Sequence, residues 1–238
     1  MRKILLILYM ILGGTAVIAV DKPNVVFILS DDQSWNDYGF MGHPHLKTPN
    51  LDQLAGEGLL YERGYTTAAI CRPSLASIVT GLYPHQTGVR GNRPFMGEGV
   101  DHKRLRANKK LWPLAQEQSK TMTATLANAP SMVKQLQDNG YATLQTGKWW
   151  EGDPLDHGFD EAFGHAIGRK TMEPIHNFVD KAQKNAQPFF IWYAVFLPHT
   201  PHNAPDRHYL KYKDLAPNES TARYWANIAW LDETCGQL

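Results

Sequence analysis

The stretch PNVVFILSDD, residues 23–32, decides the fold of this chain. A proline precedes a continuous apolar run over residues 25–29, and two acidic residues follow where the run ends. Continuous apolar runs of this kind are typical of strands that are buried on both faces of a parallel sheet. The stretch therefore predicts a buried first strand with Asp31 and Asp32 at its carboxyl end.

Helical and strand patterns alternate along the rest of the chain. TPNLDQLAGEG (48–58) predicts a short amphipathic helix, and CRPSLASIVTG (71–81) predicts another that Pro73 opens. A helix that stops at Gly140 leads into a strand ending in LQTGK, and QPFFIWYAVFLPH (187–199) predicts a further strand. This alternation predicts an α/β fold with a mostly parallel central sheet flanked by helices.

Three segments are less regular. LLYERGYT (59–66) predicts an additional strand, whereas residues 90–128 show little periodicity and are interpreted as a surface excursion beside a cleft. The last segment, residues 218–238, predicts a helix that begins near Ser220. Because that pattern runs to the last residue, we expect the chain to be the front part of a longer protein, with an incomplete fold.

Composition restricts the function. The chain has 238 residues, of which 43% are hydrophobic, which suffices for one sizeable domain with a core. Its 24 basic and 23 acidic residues form no run of like charge, so we expect no nucleic-acid partner. Cys71 and Cys235 form no Cys-x-x-Cys motif, and the sequence leaves open whether they pair as a disulfide.

The first residues predict export. Residues 1–19 combine a basic start, an apolar run and small residues before a cleavage point, which is typical of a signal peptide. A single membrane anchor is the alternative, because the apolar stretch is only just long enough to span a bilayer. We expect a periplasmic or secreted protein with no stable membrane contact after signal removal.

Polar side chains follow the predicted strands. The carboxyl ends of parallel strands meet at one edge of a sheet, where α/β folds bind their ligands. Asp31 and Asp32 repel each other unless a cation lies between them, and calcium or magnesium prefers such oxygen ligands. The alternative interpretation is that the pair caps a helix or faces solvent in a loop.

Lys148 ends the second of these strands, and PHTPH places His199 and His202 after another. One rim would then hold a cation together with groups suited to an anionic substrate. The alternatives are a solvated lysine and a proline-rich surface turn.

Cys71 lies at the amino end of a predicted helix. Unpaired backbone N–H groups and the helix dipole favour a thiolate or a bound oxyanion at that position. Cys71 is therefore a candidate nucleophile, and the alternative is a small buried apolar residue.

In order, PNVVFILSDDQSWNDYG, AAICRPSLASIVTGLYPHQTG, GYATLQTGKWW, DHGFDEAFGH and PFFIWYAVFLPHTPH resemble the sulfatase family of the alkaline-phosphatase-like layered α/β fold. The most specific part is Cys-x-Pro-Ser followed by a helix of small and apolar residues and then Thr-Gly. The resemblance implies that residues 20–238 are the amino-terminal portion of a sulfatase catalytic domain. It also implies a sulfuric ester hydrolase whose substrate is a carbohydrate or aryl sulfate, either a sulfated small molecule or a glycan.

The resemblance assigns roles to the candidate residues. Cys71 would be oxidised to formylglycine by a formylglycine-generating or sulfatase-maturing enzyme, and the hydrated aldehyde would be the nucleophile. Calcium, in preference to magnesium, would be held by Asp31, Asp32 and the modified Cys71. Lys148 and His199 would bind the sulfate and assist the leaving group, with His202 as a further substrate-binding residue.

The chain departs from the family pattern at two positions. Leu75 stands where the family has an arginine, and Arg72 is the candidate replacement. Trp150 stands where the family has a histidine, and His157 or His202 would have to act as the base. The remaining calcium ligands, an Asp-Asn pair, and a second lysine are expected beyond the end of the chain.

Two other functions stay open. A phosphomonoester, phosphodiester or phosphonate hydrolase would use the same fold and the same metal-held anion. A catalytically inactive anion-binding homologue would be consistent with the departures from the family pattern.

Overall fold

A parallel sheet carries the fold in the computed structural model, which describes residues 22–94, 96 and 102–238. The predicted α/β class and the parallel sheet are confirmed, whereas the predicted signal peptide over residues 1–19 lies outside the described residues. The strands are β1 (Val25–Ile28), β2 (Ala142–Gly147), β3 (Glu161–Phe163) and β4 (Phe189–Ala194). They lie side by side in the order β1-β4-β2-β3.

Helices pack around this sheet, and several of them end where the sequence predicts. Left-handed glycines terminate the helices before Gly81 and Gly140, because glycine adopts positive φ without steric cost. In the part of the chain that is described, no helix is both long and apolar enough to cross a bilayer. The helices are α1 (Pro49–Glu57), α2 (Cys71–Thr80), α3 (Pro84–Thr87), α4 (His102–Ala107), α5 (Leu111–Ala127), α6 (Met132–Asp138), α7 (Glu173–Lys184), α8 (Asp206–Tyr209) and α9 (Glu219–Gly236), with a 3₁₀ turn at Pro154–His157.

The two faces of the sheet hold separate apolar clusters. On one face, Ile191 of β4 packs with Ile175 and other residues of α7. On the other face, Trp192 of β4 packs with Val79 of α2 and Val133 of α6. This packing fixes α2 against the sheet and thereby determines where its first residue lies.

The buried central strand is β4, not β1. All six residues of β4 are buried, because β1 and β2 flank it. Within the described residues β1 pairs only with β4, and its Val26 side chain is 39% exposed. The prediction that β1 is a buried strand is therefore wrong, although its parallel direction is confirmed.

Two other segments differ from the predictions. Residues 59–66 form no strand, and the side chains of Leu59, Tyr61 and Tyr65 are exposed, because β-propensity produces a strand only where a neighbour pairs with it. Residues 90–128, whose sequence shows little periodicity, contain the helices α4 and α5. Among its described positions, α5 buries only two residues, which explains why its apolar periodicity is weak.

Gly147 provides a test of how closely β2 and β4 approach each other. It has φ +78°, and a Cβ atom there would lie 2.1 Å from the Ala194 carbonyl oxygen. We expect Gly147→Ala to lower the free energy of unfolding by more than about 2 kcal/mol, because it adds a backbone collision to the cost of positive φ. Urea unfolding measures this loss.

Gly42 is the matched control, because it has φ +81° and no neighbouring atom within 4 Å of an added Cβ. Gly42→Ala should cost only about 1 kcal/mol. Equal losses for the two variants would show that the contact with Ala194 imposes no constraint.

Candidate active site

Three segments meet at the carboxyl edge of the sheet around the Asp31 carboxylate. Lys148 Nζ lies 2.5 Å from Asp31 Oδ2, and Cys71 Sγ lies 3.6 Å from Asp31 Oδ1. The backbone N–H of Asp31 donates to the Leu197 carbonyl, and that of Lys148 donates to the Ala194 carbonyl. The segment that includes the end of β4 therefore holds both charged residues in place.

A cavity of about 390 Å³ opens over this cluster. Asp31, Asp32, Cys71 and Lys148 line its polar part, and Leu75 lies in its apolar wall. Asp31 and Lys148 are buried, whereas Cys71 is half-buried. The interpretation of Lys148 as a solvated lysine is therefore wrong, and Cys71 is not sealed in the core.

Asp32 joins the cluster through a strained backbone. Its φ is +61°, a left-handed conformation that aspartate tolerates better than most residues and that is frequent at functional sites. His199 Nε2 lies 3.5 Å from Asp32 Oδ2. His199 thus reaches the rim of the site, as the sequence predicts for a residue after β4.

Some of the possible metal-ligand atoms at this edge of the sheet suit a divalent cation. One ligand atom each from Asp31, Asp32 and Cys71 can lie within 4.8 Å of one another. Carboxylate oxygens suit calcium or magnesium, whereas a cysteine sulfur is a soft ligand and does not. The residues would fit calcium if residue 71 carried an oxygen ligand in place of the sulfur.

The other two candidate histidines lie apart from the cavity lining. His202 packs against Tyr224 with 5.4 Å between the ring centroids, and partial burial together with nearby His199 lowers the pKa of His202. His157 is buried and its Nε2 lies 2.8 Å from the Glu151 carbonyl oxygen. Neither residue is among those that line the cavity, and the same holds for His199, which reaches the site through its contact with Asp32.

Arg72, the candidate replacement for the arginine that the resemblance implies at position 75, does not line the cavity. Its guanidinium binds Glu151, with 2.7 Å between Nε and Oε1, and both side chains are buried. Leu75 remains an apolar part of the cavity wall. Glu151 could not be predicted from the sequence, because a single acid in a loop gives no local signal for a buried partner.

Lys148 lies between a carboxylate and aromatic rings. Its Nζ is 5.2 Å from the centroid of the Phe196 ring and 5.8 Å from that of the exposed Trp150 ring. Aromatic faces attract cations and exclude water, which strengthens the pair with Asp31. Phe196 is a further site residue that the sequence analysis did not single out.

Comparison with known proteins shows to which family the chain belongs. The family model described as Sulfatase matches residues 23–238. The chain therefore belongs to the sulfatase family, as the motifs around Cys71 and Lys148 predict.

The chain is similar, in sequence or in structure alone, to the following three proteins. The mouse N-acetylgalactosamine-6-sulfatase is 31% identical over 98% of this chain and 49% of its own length. The crystal structure of Ps i-CgsB in complex with k-i-k-neocarrahexaose is 26% identical, with a TM-score of 0.71 over 91% of this chain and 54% of that one. The phosphonate monoester hydrolase of Agrobacterium radiobacter is 16% identical, with a TM-score of 0.59 over 91% of this chain and 58% of that one, and shares the fold.

These comparisons confirm the alkaline-phosphatase-like fold. The chain spans about half the length of the curated relatives that it matches, 49% in the mouse protein.

The two cysteines, which are both free, should differ in reactivity. Iodoacetamide at about pH 8 should label Cys71, which lines the cavity, and spare Cys235. Burial and the nearby Asp232 raise the pKa of the Cys235 thiol to about 12, so almost no reactive thiolate forms there. Peptide mass spectrometry of the unmodified chain after timed labelling measures both rates. The denatured chain, in which both should react, is the control, and equal labelling of the folded chain would contradict the geometry.

The pair formed by Lys148 and Asp31 should contribute strongly to stability. Lys148→Met leaves a buried carboxylate unpaired, so we expect the free energy of unfolding to fall by about 3 kcal/mol in the absence of divalent cations. Thermal unfolding in the presence of a chelator measures the loss. Lys181→Met, which removes an exposed ion pair with Glu161, is the control and should change little. Similar losses in the free energy of unfolding for both variants would contradict a strong contribution of the buried pair to stability.

Proposed function

We propose that the whole protein hydrolyses sulfate esters, with residue 71 as the nucleophile after conversion of Cys71 to formylglycine. The observation that carries this proposal is the approach of Cys71 Sγ and Lys148 Nζ to opposite oxygens of Asp31. Membership of the sulfatase family supports the reaction class. The proposal concerns the whole protein, because this chain spans about half the length of its relatives.

The acidic residues would hold calcium. Asp31, Asp32 and the oxygen-bearing residue 71 are the groups that supply suitable ligands. When bound there, calcium would offset negative charge on the nucleophile and on the sulfate. The strained backbone of Asp32 presents its carboxylate on the rim, where its side chain is 63% exposed.

Lys148 would bind the sulfate. An ammonium group has three N–H donors, and the contact with Asp31 leaves others available for an anion in the cavity. The rings of Trp150 and Phe196 keep water away from this charge, which strengthens its interaction with developing negative charge.

His199 would protonate the leaving oxygen. Its Nδ1 lies 2.6 Å from the Thr200 carbonyl oxygen, and because a carbonyl can only accept, Nδ1 carries a proton. The other nitrogen, Nε2, lies 3.5 Å from Asp32 Oδ2 and would be the one that exchanges a proton with the substrate.

The substrate class would be a sulfated carbohydrate, or another small sulfate ester. The mouse relative is named for N-acetylgalactosamine 6-sulfate, and the solved Ps i-CgsB structure holds an oligosaccharide. These relatives support a glycan substrate. A formylglycine-generating or sulfatase-maturing enzyme would be the maturation partner, and export would bring the protein to extracellular or periplasmic glycans.

A phosphoester or phosphonate hydrolase is the second candidate. The structural likeness to a phosphonate monoester hydrolase shows that this fold also occurs in a protein named for another ester class. Leu75, which stands where the resemblance implies an arginine, supports a third candidate, a catalytically inactive homologue that would keep Lys148 as its anion-binding group.

The whole protein, produced together with a maturing enzyme, should cleave an aryl sulfate faster than the matched aryl phosphate. Cys71→Ala should lower the rate by at least about 10³-fold, because it removes the nucleophile. Mass spectrometry of the tryptic peptide that contains residue 71 should show formylglycine.

Cys235→Ala is the control and should keep the parental rate. A thiol at position 71 in every preparation, or a faster reaction with the phosphate, would count against the proposal. Binding of a sulfated glycan without turnover would favour the inactive homologue.

A further inference from the structure

Arg72 and Glu151 form a second buried ion pair beside the site. The contact is a two-point fork, with 2.7 Å from Nε to Oε1 and 2.8 Å from Nη2 to Oε2. The Arg72 side chain is 2% exposed and the Glu151 side chain is 4% exposed. Arg72 also donates to the hydroxyl groups of Ser119 and Thr123 on α5, at 3.2 Å and 3.1 Å.

This pair connects the two segments that meet in the site. Arg72 directly follows Cys71 in the first turn of α2, and Glu151 lies in the loop that begins with Lys148 after β2. On the cavity side, Cys71 and Lys148 both contact the Asp31 carboxylate. The two segments are therefore joined twice, once through Asp31 and once through the ion pair.

The backbone around the pair is held as well. The Arg72 N–H donates to Asn92 Oδ1 at 2.9 Å, and the Glu151 carbonyl oxygen lies 2.8 Å from the buried His157 Nε2. If the length or direction of the ion pair changed, the backbone of the neighbouring residues would therefore shift with it, because hydrogen bonds hold that backbone in place.

A gain in stability does not by itself explain why the charges of Arg72 and Glu151 are buried. A buried ion pair often adds no net stability over apolar side chains of similar size, because both charges must leave water. A guanidinium–carboxylate fork does fix distance and direction, which an apolar contact does not. Such a pair is suited to holding two segments in one alignment.

We propose that Arg72 and Glu151 are positioning residues whose ion pair sets the direction in which Cys71 faces Asp31 and Lys148. Neither residue lines the cavity, so both act through the backbone of their segments. The effect on turnover rests on the proposed function, whereas the effect on the Cys71 thiol does not.

The test uses the double variant Arg72→Met, Glu151→Leu, which replaces the pair by apolar side chains. We expect the chain to keep a melting temperature close to that of the parent, because burial of the apolar replacements offsets the lost pair. The rate of Cys71 alkylation by iodoacetamide should rise about tenfold, because Sγ is no longer held on Asp31. Cys235 is the internal control and should stay unreactive.

Glu219→Gln is the matched surface control, because it weakens an exposed pair with Arg223 and should change neither quantity. In the whole matured enzyme, the double variant should lower kcat about tenfold with little change in KM, since the alignment of the nucleophile matters mainly in the transition state.

A folded double variant with the parental alkylation rate would overturn the proposal. If the double variant does not fold, the variant Glu151→Gln, which keeps the shape of the side chain, is tested instead. The same comparison of Cys71 alkylation rates then applies to it. If neither variant folds, the pair is structural and the proposal is wrong. Absence of aryl sulfate turnover in the parent would overturn the proposed function while leaving the alkylation result intact.

Discussion

The Asp31 carboxylate is the contact on which the site depends, because its two oxygens meet Lys148 and Cys71 from different segments. A buried carboxylate is costly unless a positive group or hydrogen-bond donors satisfy it. The backbone at the end of β4 holds Asp31 in register, and Lys148 supplies the compensating charge. Burial of this one acid therefore draws the nucleophile candidate and the anion-binding candidate to the same point.

Two ion pairs, Lys148 with Asp31 and Arg72 with Glu151, determine where positive charge lies around the cavity. Among the described residues that line the cavity, Lys148 is the only cation, and Leu75 presents an apolar surface instead. Arg72 lies outside the lining, and Glu151 neutralises its charge. Lys148 is therefore the lining group that would attract an anion, and under the proposal above Arg72 would act on alignment rather than by direct contact with a substrate.

The sequence was sufficient for the parts of the site that follow from topology. Asp31 and Lys148 come directly after strands, and parallel strands bring their carboxyl ends to one edge, so their meeting could be predicted. The contact between Arg72 and Glu151 could not, because it joins residues far apart in the chain and depends on how α2, α5 and the loop after β2 pack. The helix α5 could not be predicted for a related reason. It buries little apolar surface, and an apolar repeat in the sequence arises only where a helix buries one face.

A crystal structure of the whole matured protein grown with calcium would show whether Asp31, Asp32 and residue 71 hold the cation together. The account predicts anomalous difference density with ligands from Asp31, Asp32 and residue 71, with Lys148 beside it. A calcium peak elsewhere in the protein, or none at that edge of the sheet under saturating calcium, would contradict the account.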